Sequence, residues 1–389
     1  MKFKNILAEK TMFYKKINRF FMFSMYEKYK DQFAKTKNIQ IIGTNGKGST
    51  GRFLAMLLQQ EGFSVGHYTS PHIFTFNERF WLNGIILDDE TLEKAHKKLE
   101  QILAHDLQKL SYFEYATFLA LVVFEKCDYV IFEAGVGGEY DATSVFDRDF
   151  NVFTKIGFDH QEMLGDSLKK IARTKLKAMK SKAIISNEQE IEVLKLAKHI
   201  ALLKKSTLWI STLCRDKKIE FFAQEYIEKY HLAIFLKNNL LLALESFMLI
   251  LNKNKNNLIE SLSKLPRLDL RGRCEQISHN LFIDVGHNEM AASILVSIFK
   301  EKKVHLVYNC FLDKDFRNIL RILKPIIEMV EIYNYQCEDR ALAGEELIRC
   351  LEELDIKYKT FYSIQKENLY LVFGSFVLVE KFLRGYCER

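Results

Sequence analysis

The chain has 389 residues, of which 48% are hydrophobic and 28% charged, a balance that is typical of folded proteins and excludes a disordered chain. At about 150 residues per domain, this length predicts two domains. The formal charge of +7 is too small to indicate a nucleic-acid partner, and it suits a polyanionic small substrate equally well. Because the seven cysteines form no C-x-x-C pair and neither a signal peptide nor an apolar run of about 18 residues is found, we expect a cytoplasmic protein without a membrane span.

Strand patterns alternate with amphipathic helix patterns over the first half of the chain. The predicted strands cover residues 38–43, 129–133, 152–154 and 183–186, and a helix is predicted over 49–60. Such alternation indicates a parallel sheet with helices packed against it, hence an α/β fold.

The same alternation restarts near residue 281. Further strands are predicted at 281–285, 304–308, 329–333 and 369–373, with a helix over 288–300. Between the two series, residues 265–273 contain Pro266 and Gly272 and have no hydrophobic periodicity. We therefore predict two domains, 1–265 and 266–389.

The most specific motif is GTNGKGST at residues 43–50, between the first predicted strand and its helix, the context that a phosphate-binding loop requires. Glycines let backbone N–H groups surround phosphate oxygens, the helix N-terminus adds partial positive charge, and Lys47 can reach the outer phosphates. Ser49 or Thr50 can support magnesium. This pattern favours nucleotide binding over a solvent-exposed turn, and it predicts these nucleotide-binding residues: Gly43, Thr44, Asn45, Gly46, Lys47, Gly48 and Ser49.

GTNGKGS resembles the loop of the folylpolyglutamate synthase/dihydrofolate synthase branch of the Mur ligase superfamily, and Gly48 separates it from the loops of ordinary GTPases and kinases. The resemblance continues in order over residues 40–375. FEAGVGG at 132–138, followed by DAT at 141–143, resembles the family pattern "lEvGlGGrlDaTN". Other matching segments are YTSPH at 68–72, SYFE at 111–114, DH at 159–160, RCE at 273–275, DVGHN at 284–288, DKD at 313–315 and GS at 374–375.

The resemblance implies a P-loop-containing central domain of the Mur ligase type with a parallel-rich sheet, followed by a smaller Rossmann-like C-terminal domain, with the active site between them. Family members are ATP-dependent acid–amino-acid ligases. ATP phosphorylates a carboxylate, and the amine of L-glutamate attacks the acyl phosphate, so that ADP and phosphate are released. For this chain, the resemblance implies a monomer that joins L-glutamate to dihydropteroate, to folates or to both.

Two magnesium sites are also implied by the resemblance, with Ser70, Glu133 and His160 as protein ligands. Glu133 is favoured independently, because open α/β sheets bind ligands at the carboxyl ends of their strands. The family lysine that is carbamylated corresponds to Lys175. The chain departs here from the family pattern "IA.EKAGI", since Thr174 replaces Glu and Leu176-Lys177 replaces Ala-Gly. Lys177 and Lys180 therefore remain alternatives to Lys175.

The remaining implied site residues contact nucleotide, glutamate or pterin. Asn239 corresponds to an adenine-side asparagine, with Asn238 as an alternative, while Arg273 and Asp284 approach the nucleotide from the second domain. His287 is expected to help place glutamate as a catalytic residue. The pterin-site positions are Ser111, Tyr112, Phe113, Tyr140, Asp141 and Ala142, where aromatic rings can stack on a flat heterocycle and Asp141 can accept a hydrogen bond.

The first 38 residues match the family least well, and they bear on whether dihydropteroate, a glutamylated folate or both are accepted. We favour a bifunctional enzyme. One alternative is a Mur-type amino-acid ligase that acts on another carboxylate. We expect 38 residues to be too few for the additional nucleotide domain of the cell-wall enzymes. The other alternative is a non-enzymatic protein that binds nucleotides or nucleic acid, which steeply salt-dependent binding would reveal.

Overall fold

The computed structural model describes residues 2–10, 18, 20–312, 314–337 and 340–387. Residues 11–17 of the divergent N-terminal stretch and Asp313 of the DKD segment lie outside the described residues.

The chain divides into two compact units. Unit 1 consists of Met1–Tyr226 and Leu236–Asp269, and unit 2 consists of Ile227–Phe235 and Leu270–Arg389. The division after Asp269 lies four residues beyond the boundary that we predicted after residue 265. Nothing in the sequence pattern predicted that the short segment Ile227–Phe235 belongs with unit 2.

An eight-stranded sheet forms the centre of unit 1. Its strands are β1 (Lys37–Ile42), β2 (Val65–Tyr68), β3 (Phe80–Leu82), β4 (Ile85–Ile86), β5 (Tyr129–Glu133), β6 (Phe150–Phe153), β7 (Lys182–Ile185) and β8 (Thr207–Ile210). Their order is β4-β3-β2-β5-β1-β6-β7-β8. Strand β3 pairs antiparallel with β2 and with β4, and the other described pairs of this sheet are parallel. Strands β1 and β5 are almost wholly buried, as expected for the apolar interior of a parallel sheet.

Helices surround this sheet, and some begin at clear capping signals. Ser111 and Glu114 form a reciprocal capping box at the start of α5, and Asp88 caps α4. The helices are α1 (Phe3–Glu9), α2 (Phe21–Tyr29), α3 (Lys47–Gln60), α4 (Asp89–Leu103), α5 (Tyr112–Val123), α6 (Gln161–Leu164), α7 (Leu168–Leu176), α8 (Ile191–Lys204), α9 (Lys217–Lys229), α10 (Leu236–Leu251) and α11 (Lys255–Lys264). Helix α9 continues past Tyr226 into the segment that belongs to unit 2.

Unit 2 contains a six-stranded sheet. Its strands are β9 (Glu275–Ser278), β10 (Leu281–Asp284), β11 (Val304–Tyr308), β12 (Ile327–Ile332), β13 (Tyr358–Thr360) and β14 (Tyr370–Phe373), in the order β13-β12-β11-β14-β10-β9. Strand β9 is antiparallel to β10, and the other described pairs are parallel. The helices are α12 (Glu289–Ile298), α13 (Phe316–Leu323), α14 (Glu345–Glu353) and α15 (Phe376–Cys387).

The predicted architecture, α/β with parallel-rich sheets in two domains, is confirmed. All eight predicted strands form, while β2, β3, β4, β8, β9 and β13, each two to four residues long, were not predicted. In the part of the chain that the structure describes, no helix combines the length and apolar character needed to cross a membrane.

Candidate active site

The loop between β1 and α3 has the shape of a narrow backbone turn that side chains would obstruct. A Cβ atom at Gly43 would lie 1.8 Å from the Thr154 hydroxyl oxygen. Gly46 has a φ of 84°, and a Cβ there would lie 2.5 Å from Asn239 Oδ1. Glycine is therefore required at both positions, for steric reasons at the first and for conformational reasons as well at the second.

The backbone N–H groups of this loop divide into two sets. Those of Thr44 and Asn45 donate to the Lys155 carbonyl oxygen, at 2.9 and 3.4 Å, so these two amides are directed at the neighbouring loop. The first turn of α3 then leaves its own N–H groups without helical acceptors, and these amides, from Lys47 to Ser49, are available to an anion. Phosphate binding along the whole loop stays a prediction, and the amides at the helix end support it most directly.

Lys47 and Glu133 face each other across adjacent strand ends. Lys47 Nζ donates to the Thr44 carbonyl oxygen at 3.0 Å and lies 3.9 Å from Glu133 Oε1. Ile41 of β1 pairs with Glu133, the last residue of β5, which is why the two side chains meet at this edge of the sheet. Glu133 is 5% exposed, and its Oε2 accepts hydrogen bonds from the Ser70 N–H at 3.1 Å and from the Thr69 hydroxyl.

Two hydroxyl groups in the first turn of α3 are buried with no hydrogen-bond partner among the described residues. Ser49 is 1% exposed and Thr50 is fully buried, and neither Ser49 Oγ nor Thr50 Oγ1 has an acceptor or donor there. A buried polar group without a partner is costly. Hydroxyl and carboxylate oxygens suit a hard cation such as Mg²⁺, so Ser49 together with Glu133 fits the implied metal chemistry.

The other predicted metal ligands lie in loops that adjoin this edge. Ser70 follows β2 and is half-buried. His160 follows β6 and has a left-handed backbone with φ of 49° at the start of α6, and its N–H donates to Asp159 Oδ1 at 2.9 Å. The loop that leads from β6 to His160 also contacts the phosphate loop, because Thr44 Oγ1 donates to the Gly157 carbonyl oxygen at 3.0 Å.

Lys175 is buried against the phosphate loop. Its side chain is 4% exposed, and Nζ donates to the Gly43 carbonyl oxygen at 2.8 Å. Burial, and next to it the positive charge of Lys47, lower the pKa of Lys175 to about 7. The alternatives do not share this position, since Lys177 pairs with Glu139 and Lys180 is exposed.

The two candidate asparagines on α10 point to different partners. Asn239 Oδ1 lies against Gly46 of the phosphate loop. Asn238 Nδ2 instead donates to Glu188 Oε1 at 2.7 Å in an exposed contact. Of the two, only Asn239 contacts the loop.

The predicted pterin-site residues are largely engaged within unit 1. Phe113 covers Gly135, where a Cβ would lie 2.8 Å from the ring, and the Arg79 guanidinium lies 5.2 Å from the centre of the Tyr112 ring. Tyr140 makes an edge contact with Phe20, with 5.8 Å between ring centres. Ser111 caps α5, and Ala142 is buried at the start of a short turn.

Asp141 accepts hydrogen bonds from its own chain on both carboxylate oxygens. Oδ2 accepts from the N–H groups of Gly135 and Val136, and Oδ1 accepts from the N–H and hydroxyl of Thr143. Burial raises the pKa of Asp141, against the lowering effect of these hydrogen bonds. Because both carboxylate oxygens are used by its own chain, this residue shapes the glycine-rich loop, and its contact with a pterin stays a prediction.

In unit 2, the predicted site residues cluster at the end of β10. Asp284 Oδ2 accepts from the Cys274 N–H at 2.8 Å and Oδ1 from the Gly286 N–H at 2.7 Å. The Arg273 guanidinium lies 5.4 Å from the centre of the Phe376 ring, and His287 Nδ1 is 3.3 Å from the Val285 carbonyl oxygen. Burial raises the pKa of Asp284 to about 6.

Sequence reasoning did not identify Thr69 and Lys155. The Thr69 hydroxyl donates a hydrogen bond to Glu133, and the carbonyl oxygen of Lys155 accepts hydrogen bonds from two amides of the phosphate loop. Thr69 precedes the predicted metal ligand Ser70 in the YTSPH segment, and this position could have identified it as a site residue. Every residue has a backbone carbonyl, so the sequence could not indicate that the carbonyl of Lys155 contacts the phosphate loop.

Comparisons with known proteins agree with this fold. A family model described as the Mur ligase middle domain matches residues 41–231. A relative from Buchnera aphidicola (subspecies Schizaphis graminum), named dihydrofolate synthase/folylpolyglutamate synthase, is 31% identical over 375 residues, which cover 88% of this chain and 86% of the relative. The crystal structure of Helicobacter pylori folylpolyglutamate synthetase has a TM-score of 0.79 at 41% identity and covers 99% of this chain and 98% of that chain.

A third comparison is with the Yersinia pestis bifunctional folylpolyglutamate synthase/dihydrofolate synthase, solved with AMPPNP and a Mn ion. Its TM-score is 0.78 at 22% identity, with 99% of this chain and 97% of that chain covered, and at this identity it shows the fold alone. Together, the fold and the phosphate-loop site define an ATP-dependent ligase with a Mur ligase middle domain. The chain belongs to the dihydrofolate synthase/folylpolyglutamate synthase family, and its reaction is an ATP-dependent ligation of glutamate in folate metabolism.

Proposed function

We propose that this enzyme joins L-glutamate both to dihydropteroate and to folates that already carry glutamate. The observation that carries the ligase reaction is the group of side chains around the phosphate loop, in which Lys47, Glu133 and Lys175 all approach the backbone of residues 43–46 or one another. The choice of both acceptors is supported by the relative named dihydrofolate synthase/folylpolyglutamate synthase. This arrangement suits transfer of a phosphoryl group to a carboxylate, a reaction in which positioning and charge neutralisation supply most of the rate.

The proposed reaction has two steps. An oxygen of the acceptor carboxylate attacks the γ-phosphorus of ATP, and the bond to ADP breaks. The amine of glutamate then attacks the acyl carbon, phosphate leaves, and the nitrogen loses a proton. In both steps Lys47 and the N-terminal amides of α3 offset negative charge on the phosphates.

Ser49, Ser70, Glu133 and His160 are the residues that we propose to hold magnesium. The unpaired buried hydroxyl of Ser49 and the Glu133 carboxylate support this choice most directly. When bound, the ion acts as a Lewis acid on phosphate oxygens. The relative solved with AMPPNP and a Mn ion agrees with a nucleotide and a divalent metal as ligands of this family.

We propose that Lys175 is carbamylated and serves a second magnesium site. Its amine, with a pKa of about 7, is substantially neutral at physiological pH, and only a neutral amine can attack carbon dioxide. A nitrogen–carbon bond forms, the nitrogen loses a proton, and a carboxylate-like group replaces a cation. This change would also relieve the repulsion between Lys175 and Lys47.

From unit 2, we propose that Arg273 and Asp284 contact the nucleotide and that His287 helps to place glutamate. Arginine suits this role because its planar fork matches phosphate oxygens. Asn239 is proposed to contact the adenine side of the nucleotide, with support from its place beside Gly46. A monomeric state stays a prediction.

The test is coupled phosphate release from ATP and magnesium by the purified protein. We expect release only when glutamate is present together with dihydropteroate or a reduced folate, and the two acceptors supplied separately distinguish one activity from two. Lys47→Ala should lower the rate about 10³-fold, because it removes a charge that stabilises the transition state. Phosphate release without any acceptor, or an active Lys47→Ala enzyme, contradicts the proposal.

A further inference from the structure

The helix that carries Lys175 is attached to the loop that follows Glu133. We call residues 134–141, between Glu133 at the end of β5 and the turn at 142–144, the glycine loop. The N–H of Glu139 donates to the Thr174 carbonyl oxygen at 2.9 Å. A Cβ atom at Gly138 would lie 2.9 Å from the Lys175 Cα, so backbone packs directly on backbone at this position.

A side-chain ion pair extends this contact to the end of α7. Lys177 Nζ donates to both carboxylate oxygens of Glu139, at 3.0 and 3.1 Å, and the two side chains are 35% and 26% exposed. Lys204 fixes the same turn from the other side, because its Nζ donates to the carbonyl oxygens of Lys177 and of Met179. The turn after Lys175 is therefore held by groups from two other segments of unit 1.

The glycine loop itself is firmly shaped at its other end. Asp141 accepts the N–H groups of Gly135 and Val136, and Ser144 Oγ donates to the Gly138 carbonyl oxygen at 2.6 Å. The loop thus forms a short rigid connection between Glu133 and the backbone of Lys175.

Both partners of the ion pair stand where this chain departs from the family patterns. Lys177 occupies the glycine position of "EKAGI", and Glu139 occupies the arginine position of "GGrlD". The two departures are 38 residues apart in sequence and meet in one ion pair, so together they form a contact that neither would make alone.

We infer that Glu139 and Lys177 are positioning residues for Lys175. Their ion pair holds the end of α7 against the glycine loop, and this fixes the Lys175 amine 2.8 Å from the Gly43 carbonyl oxygen, where it reacts with carbon dioxide. The inference rests on the proposed carbamylation of Lys175. An ion pair that is merely a surface contact would leave the state of Lys175 unchanged.

The test uses the full-length protein with single substitutions at Glu139 or Lys177 and with a double substitution that exchanges their charges. The variants are Lys177→Ala, Glu139→Gln and the double variant Glu139→Lys with Lys177→Glu. Lys170→Ala is the matched control, because Lys170 lies on the same helix and pairs only with the exposed Asp166 at 2.9 Å among the contacts described. Each protein is equilibrated with ¹³C-bicarbonate, and its carbamate is measured by ¹³C NMR beside kcat/KM and the thermal unfolding midpoint.

Each single variant should lose about tenfold in kcat/KM and in carbamate occupancy, as expected when a group that orients a site residue is removed. The exchanged pair should recover both, and Lys170→Ala should match the wild type. Added bicarbonate should raise the activity of the single variants toward the wild-type value, which a general loss of stability would not allow. Unfolding midpoints close to the wild type exclude misfolding as the cause.

The outcomes separate the inference from the proposed function. A carbamate signal that persists at full strength in Lys177→Ala contradicts the positioning role alone, and so does an exchanged pair that fails to recover. A wild-type protein without carbamate contradicts the proposed role of Lys175 and the positioning role together. Lys175→Ala should lose both signal and activity whatever the result at Lys177.

Discussion

Glu133 and Asp284 each end an internal strand, β5 in unit 1 and β10 in unit 2, and both are buried, yet their surroundings differ. Glu133 receives hydrogen bonds on one oxygen and turns the other toward Lys47, 3.9 Å away. Each carboxylate oxygen of Asp284 accepts a hydrogen bond from a backbone N–H of its own unit. The strand end brings a carboxylate to the edge of a sheet, but the hydrogen bonds that the carboxylate accepts decide how far its oxygens are available to a metal ion.

The largest effect should come from removing the charge at each strand end. Glu133→Gln keeps the shape and should lower kcat/KM about 10²-fold to 10³-fold while raising the magnesium concentration for half-maximal rate. Asp284→Asn should lower kcat/KM about tenfold, through a lost hydrogen bond in its turn and a weaker contact with the nucleotide, with no change in magnesium dependence. Initial rates against magnesium concentration measure both. An equal rise in the magnesium concentration for half-maximal rate in the two variants would contradict a magnesium role that belongs to Glu133 and not to Asp284.

A smaller effect should distinguish the two asparagines beside the phosphate loop. Asn239→Ala should raise the KM for ATP about tenfold, because it removes one polar contact next to Gly46. Asn238→Ala is the matched control and should leave KM unchanged, since its amide pairs with Glu188 at the surface. A rise in the KM for ATP in the Asn238 variant alone would indicate that Asn238, and not Asn239, contacts the nucleotide.

The last prediction concerns the pH dependence of stability, and no change in rate, in carbon-dioxide-free buffer. In the folded protein the Lys175 amine loses its proton above about pH 7, whereas in the unfolded chain it does so near pH 10.4. Unfolding therefore takes up a proton between these values. The contribution of the neutral Lys175 amine to the free energy of unfolding is complete above pH 10.4, and it is lost as the pH falls toward 7. The free energy of unfolding should rise by up to about 1.4 kcal/mol per pH unit from this group.

Lys175→Met should remove that slope, while Lys170→Met should retain it. Urea unfolding of each variant between pH 7 and 9 provides the measurement. Identical slopes in the two variants would mean that the buried amine keeps its proton in the folded state.

The sequence was sufficient to locate the phosphate loop and the end of β5, because glycine spacing and strand–helix alternation are local signals. It was insufficient for contacts that depend on which segments meet. The amides of Thr44 and Asn45 are directed at Lys155 because β6 lies beside β1, and strand order is a property of the whole sheet. Asp141 was predicted to accept a hydrogen bond from a pterin, and a polar side chain after a glycine pair does not reveal that backbone amides of its own loop also donate to it.

The membership of Ile227–Phe235 in unit 2 bears on how this protein could recombine with its relatives. The chain passes between the units at Tyr226/Ile227, at Phe235/Leu236 and at Asp269/Leu270, and the first passage lies within α9. A chimaera that exchanged unit 2 would therefore need three junctions, one of them inside a continuous helix. A single crossover after Asp269 would leave the nine residues of Ile227–Phe235 in the unit of the wrong parent. Exchange of whole units is thus a far less accessible route to new specificity for this protein than substitution within each unit.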